Sequence, residues 1–474
     1  MTDLKSSFRA ILFFFFCASA IQMSAQPASN IYGQHRIKLF RSKDDSIRYT
    51  MVEKSIDEEL SHSPLRHQKM DSLTQLQSKI FAEGIVFKTV YRPSKDFILT
   101  DSLTTTSDFL LVKKLCIYNK KEIPEILWNC KDLEALEFIN TSIKRLPKEL
   151  AAFPNLKSIG IYHNRIRKRL RLSKNVTVNS LTIRSEQQEG LPRSYKKFGA
   201  LNRLDLAENG LTKFPNGARH NKKMTDLSLQ RNALTLKDKI KTHRYLERLS
   251  LHGNLIEHVP ASIKNCRNLN KLNFNSNKIS SVDAGIGALK KLEQLSFYNN
   301  QLTEVPSGVY KIRTLKEIDL FHNQIEALGP EFCNWQNLVT LYLSHNKLIS
   351  LPENIDTLKS LEGLYLWDNR LGKLPVSIGE ISQMKYLRIN NNYLKELPTS
   401  IQKLSNMEEL DISHNYISEI PEGIFLYPKL KILAMVNNPW SEAMWKLLAD
   451  KIEVLRAKNI FVHLSDKDEK QDRQ

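Results

Sequence analysis

Four of the twelve histidines in this 474-residue chain, His163, His322, His345 and His414, stand directly before an asparagine at one recurring place of a repeated pattern. Recurring imidazoles are candidates for a metal or a pH switch. Only His322 and His345 fall one period apart, however, and a polar residue at a strand end is the plainer expectation. Gly285-Ile286-Gly287 opens like a dinucleotide-binding turn but lacks the third glycine that lets a backbone approach a pyrophosphate. The chain has no Gly-x-Ser-x-Gly, no phosphate-cradling GxxxxGK and no His-Glu-x-x-His. No Cys-x-x-Cys or paired-His spacing suggests structural zinc. The sequence therefore predicts no catalytic residues, no metal and no cofactor.

The residues that remain are those of recognition. Tyr298, Phe321, Tyr342, Tyr365, Trp367 and Tyr386, with Arg388 and Asp319 beside them, gather in the second half of the chain. Tyr, Trp and Arg dominate binding hot spots. A second group, Arg165, Arg167, Lys168, Arg169, Arg171 and Lys174, concentrates part of the net charge of +19. Lys196, Lys197, Lys222, Lys223, Lys237, Lys239 and Lys241 continue it. This basic stripe offers an anionic partner a surface, or simply a solvated face.

Both groups are positioned by a repeat. The pattern LxxLxLxxNxL begins at Leu133, Leu156, Val178, Leu201, Met224, Leu246, Leu269, Leu292, Leu315, Leu338, Leu361, Met384 and Met407. A truncated copy starts at Leu430 and a degenerate one near Leu110. Steps are 23 residues, with two of 22. The ninth place is Asn throughout except at Thr141 and Glu186. Within one unit Leu341 and Leu343 alternate with Tyr342, the period of a strand. No unit can bury its apolar side alone, so the units must stack. The third, fifth and seventh places then face outward on the concave side, and the aromatic residues occupy them.

These repeats resemble the leucine-rich repeat family. The second half of each unit, as in Leu351-Pro352 with Ile355, Leu374-Pro375 with Ile378 and Leu397-Pro398 with Ile401, is similar to the 23-residue class of Ras-suppressor-like and plant Ras-group-related proteins. The resemblance covers about residues 110–440. It implies an α/β solenoid: a horseshoe with a parallel concave sheet, a mostly irregular or short-helical convex side, and caps at both ends. It also implies that each ninth-place Asn bonds to the backbone of adjacent turns.

The ends depart from the repeat. Residues 1–25 have a basic start (Lys5, Arg9) and the apolar run Ala10 to Ile21. Ser24-Ala25 follows, which is the pattern of a secretory signal peptide cleaved after Ala25. The run is shorter than the ~20 residues a spanning helix needs, and no other segment predicts a transmembrane span. Residues 26–109 are expected to be a flexible segment to residue 44, then a helical and strand-like N-terminal cap. In 441–474, Ser441 starts a cap helix with Met444, Leu448, Ile452 and Leu455 on one face, followed by a charged tail. Cys130, Cys266 and Cys333 read as small core residues. Only Cys116 and Cys130 are near enough in sequence for a disulfide.

The composition and pattern thus predict an exported, non-catalytic binding module, secreted, periplasmic or on the cell surface. A protein ligand on the concave patch is the first expectation. The alternative is an adhesin for acidic polysaccharide or an anionic envelope component held by the basic stripe. Export removes the usual nucleic-acid targets.

Overall fold

In the computed structural model, residues 33–40, 85–92, 96–103, 108–163, 170–184, 191–192, 195–237 and 239–464 are described. The signal segment, the helical stretch expected before residue 84 and the charged tail lie outside them.

Two strands, β1 (Gly33–Phe40) and β2 (Ile85–Arg92), pair antiparallel from Gly33 opposite Arg92 to Phe40 opposite Ile85. The expectation of a flexible segment over 26–44 therefore fails at 33–40, because a partner 45 residues or more away supplies its backbone hydrogen bonds.

Seventeen strands then form one parallel sheet. It opens with β3 (Ile98–Leu99), β4 (Lys114–Tyr118), β5 (Ala135–Ile139), β6 (Ser158–Tyr162) and β7 (Ser180–Arg184). The middle comprises β8 (Arg203–Asp205), β9 (Asp226–Ser228), β10 (Arg248–Ser250), β11 (Lys271–Asn273) and β12 (Gln294–Ser296). The last part is β13 (Glu317–Asp319), β14 (Thr340–Tyr342), β15 (Gly363–Tyr365), β16 (Tyr386–Arg388), β17 (Glu409–Asp411), β18 (Ile432–Ala434) and β19 (Phe461–His463). β3 pairs only with β4 and β19 only with β18, so the sheet is open at both edges. Its first and last strands lie outside 110–440. The repeat pattern fades there, but a parallel edge needs only backbone, and 98–99 and 461–463 provide it.

The sequence of one turn explains its path. Leu341, Leu343, Leu348, Ile355 and Leu358 are completely buried, and Leu351 nearly so. Pro352 accepts the Ile355 amide at 3.2 Å and starts a short convex turn, and Pro375, Pro398 and Pro421 precede 3-10 turns in the same way. Asn346 Nδ2 donates to Leu320 O and Leu343 O at 2.9 Å each, and its Oδ1 accepts the Ile325 amide at 2.9 Å. The same bonds recur at Asn232, Asn300, Asn323, Asn369, Asn392 and Asn415, so these buried amides are satisfied on both ends.

The residue before each of these asparagines adopts the left-handed conformation. His322, His345, Asp368, Asn391 and His414 have φ between 52° and 59°. Asn, Asp and His tolerate that region better than most residues, which gives the histidine row a backbone reason. The register also fixes the first unit: Asn119 has φ 57°, so that unit begins at Val112.

After the last repeat, Ser441 accepts the Met444 amide at 3.1 Å and begins helix α1 (Glu442–Ala457), which buries Met444, Leu448, Ile452 and Leu455. Cys130 and Cys266 are wholly buried in the core, whereas Cys333 is only half-buried on the convex side. All four described cysteines are free, so Cys116 and Cys130 form no bridge. Among the described residues no helix is long and apolar enough to cross a membrane.

Candidate functional site

The concave floor has two characters. At β4 to β6 its outward side chains are covered: Cys116, Ala135, Ile139 and Tyr162 form a second apolar cluster with Phe97. Glu137 lies among them, 1% exposed, and burial pushes its carboxyl up to about 8. Between β12 and β16 six outward side chains, Tyr298, Phe321, Tyr342, Tyr365, Trp367 and Tyr386, are rings that remain half-buried.

The rings sort into two pads. In the first, Tyr298 stacks on Phe321 at 5.2 Å, and Phe321 meets Trp367 at 5.3 Å. The strands carrying Phe321 and Trp367 are two steps apart, about 10 Å at the usual spacing. The rings therefore lean together over Ser344, which stands between them in the register and is completely buried. His345 fills the remaining edge, 4.2 Å from Trp367 and 4.9 Å from Phe321, and is paired with Asp368. It stacks on His322 at 4.6 Å. The two histidines thus belong to the pad, a role that periodicity alone does not reveal. Their eighth-place position was the available signal.

The second pad follows the fifth place of the repeat. Tyr342 stacks on Tyr365 at 4.7 Å, and the Arg388 guanidinium lies 5.8 Å from the centre of the Tyr365 ring. Arg388 is hydrogen-bonded to Glu409. Burial raises both tyrosine hydroxyls, Tyr365 to about 12, so both keep their protons near neutrality. Tyr386 stands apart at the third place, beside Gly363 in the register, its hydroxyl 3.5 Å from Glu408. Asp319 sits between the pads on the floor. It accepts from the Ser296 hydroxyl at 2.8 Å and the Phe321 amide at 3.1 Å, yet burial still pushes it up to about 6.

Of the basic stripe, Arg171 and Lys174 are exposed, while Arg165, Arg167, Lys168 and Arg169 lie outside the described residues. No group of three His, Cys, Asp or Glu side chains among the described residues is arranged to hold a metal. The site offers stacked rings, one aromatic-bound guanidinium and a buried acid. That is equipment for binding.

A family model described as "Leucine rich repeat" matches residues 313–371 and 382–439, and one for two copies of the repeat matches 267–311. No curated protein matches the chain. Among solved structures, a leucine-rich repeat protein of Leptospira interrogans is similar with a TM-score of 0.58 and 22% identity, over 76% of this chain and 97% of that one. The Toll–Spatzle complex of Drosophila gives 0.57 and 20% identity, over 69% of this chain and 50% of that one. A plant peptide hormone receptor in complex with RGF2 gives 0.50 and 24%, over 69% and 58%. At these identities the likeness concerns the fold.

Proposed function

This chain is a leucine-rich repeat protein, and we propose that its two concave aromatic pads capture a protein ligand without catalysing a reaction on it. The observation that carries this reading is the division of labour on β15. Leu364 and Leu366 are completely buried behind the sheet, whereas Tyr365 and Trp367 stay half-buried in front of it. The rings are braced by one another, so their area is held in place for a partner. Two of the similar solved structures contain a bound partner, RGF2 and Spatzle, which supports a protein as the class of ligand. The apolar run in residues 1–25 supports capture outside the cytoplasm.

The test is a pull-down from envelope extract at two salt concentrations, comparing the native chain with Trp367→Ala plus Tyr365→Ala. We expect the double variant to lose ~2 kcal/mol or more of affinity, as for hot-spot residues, at a stability cost of roughly 1.5–4.5 kcal/mol for three lost ring contacts. Arg171→Glu plus Lys174→Glu is the matched charge control. Capture that survives the aromatic change but not the charge reversal would remove the pads from the site and leave the acidic-polysaccharide reading.

A further inference from the structure

A second site lies on the rim where the chain enters the strands. An open groove of about 1000 Å³ runs along the residues just before β7 to β13. Along it Lys222 and Lys223 stand before β9, and Lys290 and Lys291 before β12, all exposed. Three strand steps separate the pairs, about 14 Å. Tyr245, 46% exposed and stacked on no other ring among the described residues, lies between them. Lys222, Lys223 and Lys291 form no ion pair among the described residues.

The asparagines of this groove differ from those of the ninth place. Asn179, Asn202 and Asn270 occupy the second place and line the groove. Their backbones carry the ladder, as in the Asn202 amide donating to Asn179 O at 2.9 Å. Their side-chain amides make no hydrogen bond within the described chain. Each keeps two donors and an acceptor for an outside group.

The groove also contains two acids. Glu293 is paired with Lys316 at 3.0 Å, and Glu247 faces the groove midway. A uniformly charged polyphosphate would meet Glu247 as a like charge. A chain that alternates hydroxyls with spaced carboxylate or sulfate groups would not. Its hydroxyls match the free amides and Glu247, its ring faces match Tyr245, and its acids match the lysine pairs.

We propose that this groove binds an acidic oligosaccharide, with Tyr245 as the stacking platform and the two lysine pairs as the anion contacts. The site is separate from the aromatic pads and does not depend on their function.

The experiment is calorimetric titration of the chain with a tetragalacturonate, a sulfated glycosaminoglycan tetrasaccharide, neutral cellotetraose and inorganic tripolyphosphate. Saturable binding of either acidic sugar, with cellotetraose weaker by about tenfold or more, is expected. The two acidic sugars distinguish carboxylate from sulfate as the preferred acid. Lys222→Ala plus Lys223→Ala and, separately, Tyr245→Ala should each weaken binding about tenfold. Trp367→Ala plus Tyr365→Ala should leave it unchanged, as should Lys446→Ala plus Lys458→Ala, on α1 and at its C-terminal end. The proposal is overturned if neither acidic sugar saturates. It is equally overturned if Tyr245→Ala has no effect while tripolyphosphate competes as well as sugar, or if Lys446 and Lys458 matter as much as the lysines of the groove.

Discussion

On β6 the ring of Tyr162 lies against Gly160, and on β15 the ring of Tyr365 lies against Gly363. A Cβ on Gly160 would come within 2.6 Å of the Tyr162 ring, and one on Gly363 within 3.0 Å of the Tyr365 ring. Behind both strands the inward residues, Ile159 and Ile161 or Leu364 and Leu366, are buried to within 2%. The two turns are locally alike, yet Tyr162 is fully buried among Cys116, Ile139 and Phe97, while Tyr365 is half-buried between Tyr342 and Arg388. The repeat fixes which way a side chain points. Whether it becomes core or surface depends on what lies across from it.

Truncating the two tyrosines should give the largest effect on this contrast. Tyr162→Ala should cost ~3–5 kcal/mol in chemical denaturation, as for other buried aromatics, and Tyr365→Ala about 1 kcal/mol, the worth of a ring pair. Equal losses would erase the distinction between covered and open floor. The inward positions should behave alike in both regions: Leu136→Ala and Leu343→Ala should each cost ~2–5 kcal/mol. A loss below about 1 kcal/mol at Leu343 would place it outside a packed core and refute the register.

The smallest effect is read through pH. Glu137 in the covered region is pushed up to about 8, and Asp319 in the open region to about 6, both chiefly by burial. A carboxyl raised in the folded state binds a proton that the unfolded chain has already released. Its contribution is therefore greatest at low pH and is lost as pH rises through the folded value. Tm should fall by roughly a few degrees between about pH 6 and pH 8 in the native chain. That upper part of the slope should vanish in Glu137→Gln and persist in Asp319→Asn. If Glu137→Gln keeps the slope, the covered floor is not the source.

Much of the fold was legible because it rests on backbone and inward side chains. The positions of Leu341, Leu343 and Asn346 follow from period and polarity, and the structure buries each as the pattern requires. The outward arrangement was only partly legible. The pattern placed Tyr298, Phe321, Tyr342, Tyr365 and Trp367 on one side, but which rings touch depends on side-chain rotation and on the small Ser344 that lets two of them lean together. The inclusion of His322 and His345 was hidden because a left-handed backbone requirement and a ring contact select the same residue. The buried surroundings of Glu137 were not legible at all, since Phe97, which joins the apolar cluster on that part of the floor, precedes the recognisable repeats.

The asparagine ladder has a direction, and direction matters to a chain made from one end. Asn346 reaches back to the Ile325 amide and to Leu320 O, and Asn369 reaches back to Leu343 O. Each turn is finished by a side chain that belongs to its successor. During synthesis at ~5–20 residues per second, a turn would therefore wait roughly one to five seconds for its closing amide to emerge. At every moment the growing stack would have a completed body and one unfinished turn, always the newest.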